Sequence, residues 1–237
     1  MGVVRRSPTS ACNTLPDPQL EIHGAVNGRD TVLASNDDWA LPAENAAPLR
    51  AAFAATGAFA LTDAAAKDAA LLMTVDGSRS VFVRDATGRS GVTLAEVYDA
   101  DTANRGRLVN FSARNLVGTG DEILVAGFVV AGNVPRRVLV RGIGPRLAAF
   151  GVTAPLADPK LELYSSGALV ASNDNWGSGD VAALRAAFST ATAFDLPDTG
   201  SRDAALVVTL PAGMYSAQVS GVGGTTGEAL VEVYELP

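Results

Sequence analysis

From residue 107 to the C-terminus, apolar residues recur in short alternating runs of Val, Leu, Ile and Phe, cut off by Gly- and Asn-bearing turns. This is the period of half-buried strands. The segments "RLVNFSARN", "EILVAGFVVAG" and "RRVLVRGI" come first, separated by "VGTGD" and "GNVP"; "KLELYS", "ALVAS", "AALVVTL", "MYSAQVSG" and "ALVEVYE" follow. Eight such strands predict an all-β fold, a two-sheet β-sandwich of jelly-roll type, rather than a helical or βαβ plan. One stretch leaves the period: "GDVAALRAAFSTATAF" puts Val181, Leu184 and Phe188 on one face behind Asp180 as N-cap. That predicts a short helix across an end or edge of the sandwich. Trp176, Phe188, Phe194, Leu206, Val208, Leu230 and Val233 are the expected core.

The pattern is written twice. "DPQLEI" at 17–22 returns as "DPKLEL" at 158–163, and "LASNDDWA" at 33–40 as "VASNDNWG" at 170–177. "LRAAF" (49–53) returns at 184–188, "KDAALLMT" (67–74) as "RDAALVVT" (202–209), and "LAEVY" (94–98) as "LVEVY" (230–234). The first copy has its own helix pattern, "ENAAPLRAAFAATGAF", with Pro48 in the opening turn. It has no counterpart to residues 107–152. The expected organisation is therefore an N-terminal tail at 1–15, an incomplete unit at 16–101, a linker at 102–106 and a complete unit at 107–237. Five strands of eight leave the first unit with open edges, which invite a strand from elsewhere. A neighbouring molecule is one source, and head-to-tail donation would build filaments.

The complete unit, with its "VGTGD", "AGFVV", "VLVRGIGP", "NDNW" and "ALVEVY", resembles a repeat of large secreted and surface proteins of bacteria. The likeness is close over 107–237 and partial over 16–98, where "VDGSRSVFV" stands in place of "LPAGMYSAQV". The strand layout and the "AGMY" hairpin are also distantly similar to the bacterial pre-peptidase C-terminal domain, a β-sandwich appended to exported enzymes. Both resemblances imply an accessory, adhesive or structural module, extracellular or on the cell surface, without catalysis of its own.

Composition narrows the partners. A net charge of −7 and a pI near 4.7 exclude a phosphate-neutralising surface over the whole chain, so no nucleic acid is expected. The charge is uneven along the chain: Arg105, Arg107, Arg114, Arg136, Arg137, Arg141 and Arg146 against Asp121 and Glu122 leave +5 over 102–146 and −12 elsewhere. Such segregation predicts either a solvated strand face or a basic part of one unit meeting an acidic part of another. The most apolar window, 123–135, is broken by Gly127, Gly132 and Asn133 and is too short to cross a bilayer, so no membrane insertion is expected. Cys12 is the sole cysteine, which excludes an internal disulfide.

Catalytic chemistry finds little footing. The sole histidine, His23, aligns with Tyr164, a pairing that fits an aromatic strand residue with a polar tip better than a general base. There is no G-x-S-x-G elbow, and "SGVGGTTG" (220–227) joins two strands rather than opening a helix, so it reads as a hairpin and not a phosphate loop. The remaining candidate is the repeated Asn-Asp-x-Trp phrase. Asn173, Asp174 and Asp203 in the second copy, and Asn36, Asp37 and Asp68 in the first, are hard oxygen donors of the kind calcium takes. The same residue types also cap backbone N–H groups in Asx turns, which is the first reading, with calcium second. Self-association or contact with neighbouring repeat units is the expected partnership, and surface glycans the alternative.

Overall fold

The computed structural model describes residues 14–101 and 108–237, together with the backbone of Gly2–Arg6. Cys12, the linker expected at 102–106, and Arg105 and Arg107 lie outside the described residues. The chain divides into two compact units, Met1–Arg107 and Leu108–Pro237. The first contains strands β1 (Gly2–Arg6), β2 (Pro18–Val26) and β3 (Arg29–Asn36), helix α1 (Ala46–Thr56), then β4 (Ala69–Leu71), β5 (Ser80–Asp85) and β6 (Thr93–Val97). The second contains β7 (Asn110–Val117), β8 (Leu124–Val130), β9 (Arg136–Ile143), β10 (Pro159–Ser165) and β11 (Ala168–Asn173), then α2 (Val181–Thr190), β12 (Ala204–Leu210), β13 (Gly213–Gly221) and β14 (Gly227–Leu236).

In the second unit two antiparallel sheets run β11-β10-β13-β8 and β12-β9-β14-β7. Counted within the unit these orders are 5-4-7-2 and 6-3-8-1, two interleaved Greek keys, so the fold is a jelly roll, as the strand pattern predicts. Alternation explains the layers. Val138 and Val140 of β9 and Val231 and Val233 of β14 point between the sheets and meet Leu161, Leu163, Ala217 and Val219. The intervening Leu139, Ile143 and Leu236 point to the other side, where α2 covers them with Leu184 and Phe188. Asp180 accepts the Ala183 N–H at 3.0 Å as the helix N-cap. All seven expected core residues fall in these two layers.

Among the described residues the first unit repeats this plan with two strands fewer. Its sheets run β4-β1-β6 and β3-β2-β5. The β2–β5 ladder, with Leu20 opposite Val83, matches the β10–β13 ladder, with Leu161 opposite Val219, and a bulge after Ile22 repeats the one after Leu163. Two corrections follow for the expected organisation. The segment read as an N-terminal tail holds β1, which lies between β4 and β6 as β9 lies between β12 and β14, so among the described residues the unit has six strands and not five. The physical reason is that the gap between β4 and β6 presents two rows of backbone groups, and one short strand satisfies both. The missing strands are the counterparts of β7 and β8, each at an edge of its sheet.

Candidate functional site

The repeated phrase builds the same corner in both units. In the second, wholly buried Trp176 donates its backbone N–H to the Asp203 carbonyl at 2.8 Å and its indole Nε1–H to the Asp198 carbonyl at 3.0 Å. Asn173, ending β11, donates from Nδ2 to the Asn175 carbonyl (3.1 Å) and accepts the Ala205 N–H of β12 on Oδ1 (3.0 Å). The first unit reproduces every bond. Trp39 donates to the Asp68 carbonyl at 2.8 Å and to the Asp63 carbonyl at 2.9 Å. Asn36 donates to the Asp38 carbonyl at 3.0 Å and accepts Ala70 N–H at 3.0 Å. The asparagine thus staples the end of one strand to the start of a strand in the other sheet, and the indole ties down the loop between helix and strand.

The helix motif belongs to the same corner. In "LRAAF", Phe188 tilts against Trp176 with ring centroids 5.8 Å apart, and Arg185 lies over the indole at 5.3 Å. Phe53 and Arg50 take the same places on Trp39, at 6.2 and 5.0 Å. The spacing of three puts Arg and Phe on one face, one stacking on the indole and the other packing beside it.

The acidic residues are placed unequally. Asp203 is fully buried: Oδ1 accepts the Gly144 and Arg146 N–H groups (2.8 and 3.3 Å) and Oδ2 the Ser201 hydroxyl at 2.5 Å. Asp174 and Asp37 are exposed, and Asp68 is half-buried with its carbonyl on Trp39. Calcium takes six to eight oxygens. Here the Asn173 and Asp203 oxygens already serve backbone N–H groups, and no group of three His, Cys, Asp or Glu that could hold a metal occurs among the described residues. The donor set fits caps better than a cage. Chelator is therefore expected to leave the thermal midpoint unchanged, while Asn173→Ala costs about 1–3 kcal/mol by stranding the Ala205 N–H. A midpoint that rises with added calcium would reverse the assignment.

Sequence reading missed a second site. Arg141 is fully buried in β9 opposite Glu232 of β14. Its Nε donates to Glu232 Oε2 at 2.8 Å, Nη2 lies 2.5 Å from the same oxygen as an ion pair, and Nη1 donates to the Phe194 carbonyl at 2.6 Å. The Tyr234 hydroxyl donates to Glu232 Oε1 at 2.7 Å; burial raises its pKa. The guanidinium sits 4.2 Å from the Phe194 ring centroid and 5.1 Å from that of Phe188. In the first unit Glu96 keeps the Tyr98 hydroxyl at 2.8 Å, but Val3 stands opposite it and its Oε2 is buried without a hydrogen-bond partner. The available signal was parity: Arg141 shares a strand face with Leu139 and Ile143, and Glu232 with Leu230 and Tyr234.

The pair also corrects the charge picture. Arg141 meets Glu232, Arg114 lies 3.7 Å from Glu228, and Arg136 lies 3.3 Å from Glu235. All three acids come from β14 of the same unit, so signs segregated along the chain interleave in space. His23 lies in β2, bonded to Asp30 at 2.9 Å and tilted against Phe82 at 4.6 Å; the Asp30 bond holds its pKa above the usual histidine value. "SGVGGTTG" spans the β13–β14 turn, where Gly223 and Gly224 take positive φ. No helix among the described residues is long and apolar enough to cross a membrane.

Fold and site together define a two-unit, all-β protein whose repeated residues build the corners of a jelly roll. No family model and no curated protein matches the chain. Among solved structures it bears a distant resemblance to the pre-peptidase C-terminal domain of a collagenase from Bacillus anthracis. Identity is 12% and the TM-score 0.33, over 53% of this chain and 89% of that one.

Proposed function

We propose that the chain is a non-catalytic structural or adhesive β-sandwich repeat of an extracellular or cell-surface assembly, joining copies of itself or neighbouring repeat units. One observation carries the reading: the side-chain polar atoms of the asparagine and tryptophan at the repeated corner bind the chain's own backbone, bond for bond in both units, which is what a repeat selected for shape requires. A second reading, a glycan-binding accessory module, has one feature in its favour. A shallow groove of about 400 Å³ runs along β10 and β13, lined by Tyr164, Ser166, Met214, Tyr215 and Gln218. Tyr215 is buried with its hydroxyl on the Pro211 carbonyl, which leaves Tyr164 as the ring available to stack on a sugar.

Two measurements decide between them. Protease treatment of intact source cells should remove the epitope of an antibody raised to the chain, and the purified chain should pass through columns of insoluble cellulose, chitin and peptidoglycan without retention. Retention lost on Tyr164→Ala would establish the accessory reading instead. An epitope protected until the cells are lysed would overturn the extracellular placement of both.

A further inference from the structure

The two units show within one chain what covers the flank that the first leaves open. In the second unit β7 pairs with β14 and β8 with β13, and they pack against each other across the sheets. Val117, Leu124, Ala126 and Val130 close the core there. In the first unit the matching edges, β6 and β5, have no further strand among the described residues. Equivalent inward positions record the difference: Val97 is 55% exposed where Val233 is 6%, and Val81 is 42% exposed where Ala217 is 0%. Exposed apolar side chains on the two outermost strands of one flank form a ready template for pairing.

We infer that the open flank of the first unit docks on the same flank of a second copy, forming a closed two-fold dimer in which β5 pairs with β5 and β6 with β6. This rests on the proposed self-association and names its surface and symmetry. A strand paired with its own mate across a two-fold axis normal to the sheet is antiparallel, and because both edges lie on one flank, a single axis serves both sheets. The β5 sequence suits that pairing. With Phe82 opposite its mate, Val81 faces Val83, Arg84 faces Ser80, and Arg79 just before the strand, ion-paired with Asp76 in its own chain, comes opposite Asp85, so each end of the pairing brings a cation and an anion into register without like charges opposed. Asp85 is anionic there, its pKa held down to about 2 by the Thr87 hydroxyl. Continuing both sheets would bury Val81, Val83, Ala95 and Val97 against their mates. Such an interface closes on itself and ends at two copies, unlike head-to-tail donation.

The test is sedimentation equilibrium or size-exclusion with light scattering on the full chain, compared with Val81→Lys and Val97→Lys. Both positions are exposed in the single chain, so a lysine there leaves the unit folded, which tryptophan fluorescence and circular dichroism check; an inward lysine on an edge blocks further pairing. The expected result is a monomer–dimer equilibrium, with the dimer constant weakened at least about 100-fold in either variant and unchanged in the control Met214→Lys on β13 of the second unit. A chain that stays monomeric overturns the inference, as does a dimer indifferent to both lysines or a polymer that lengthens with concentration. Binding of a synthetic 108–133 peptide to a monomeric chain would show that the flank takes a donated strand pair, also against the inference. These outcomes are independent of the cell-surface and glycan measurements, so the dimer and the functional reading can fail separately.

Discussion

Arg141→Ala is expected to destabilise the second unit by about 3–5 kcal/mol, among the largest losses from any single replacement in the chain. The pair is dry, with Arg141 fully buried and Glu232 nearly so. Removing the guanidinium strands a carboxylate that cannot reach water, and it also takes away the face stacked on Phe194 and Phe188. The buried charges themselves add far less, because each lost its hydration on folding. Replacing the group as a unit, with Arg141→Met, Glu232→Leu and Tyr234→Phe so that no hydroxyl is left without its acceptor, should recover most of the loss. Urea unfolding followed at Trp176 in a Trp39→Phe background measures both. A cost below about 1 kcal/mol for Arg141→Ala would mean that water reaches Glu232.

The contrast between Arg141 and the strands around it shows where sequence reading holds. The eight strands of the second unit were legible because half-buried strands impose period 2, and the turns between them carry residues that tolerate positive φ. Topology followed from strand number and turn pattern. The corner was legible as a repeat, and its chemistry in part: Asn and Asp at a strand end mean caps more often than ligands. Charge counted along the chain misled, since it ignores which face a strand turns outward; β9 is covered on one side by a sheet and on the other by α2, so every residue of its inner stretch is buried. Strand β1 escaped for another reason. Five residues carry too little pattern to announce a strand, and what selects them is the empty slot between β4 and β6, a tertiary demand that local sequence does not express.

Each unit contains one tryptophan at the same corner, so the chain reports on its own halves. Unfolding followed at Trp39 in Trp176→Phe, and at Trp176 in Trp39→Phe, is expected to give two separate transitions with the first unit at the lower denaturant concentration. Each background substitution weakens only the unit it silences, provided the units unfold separately. The asparagine and tryptophan bonds of the corners do not cause the difference, because they match. The cores between the sheets can. At equivalent inward positions Val97 and Val81 of the first unit are 55% and 42% exposed, where Val233 and Ala217 of the second are 6% and 0%. At about 1.5–3 kcal/mol for each fully buried Val or Leu, even partial compensation elsewhere leaves the first unit weaker by several kcal/mol, a separation of at least about 1 M in urea. Closing the flank would add back part of that core. Raising the chain concentration 100-fold should therefore move the Trp39 transition to higher urea and leave the Trp176 transition where it is. Coincident transitions at every concentration would mean that the first unit is as well covered as the second, and that its exposed valines have found cover within a single chain.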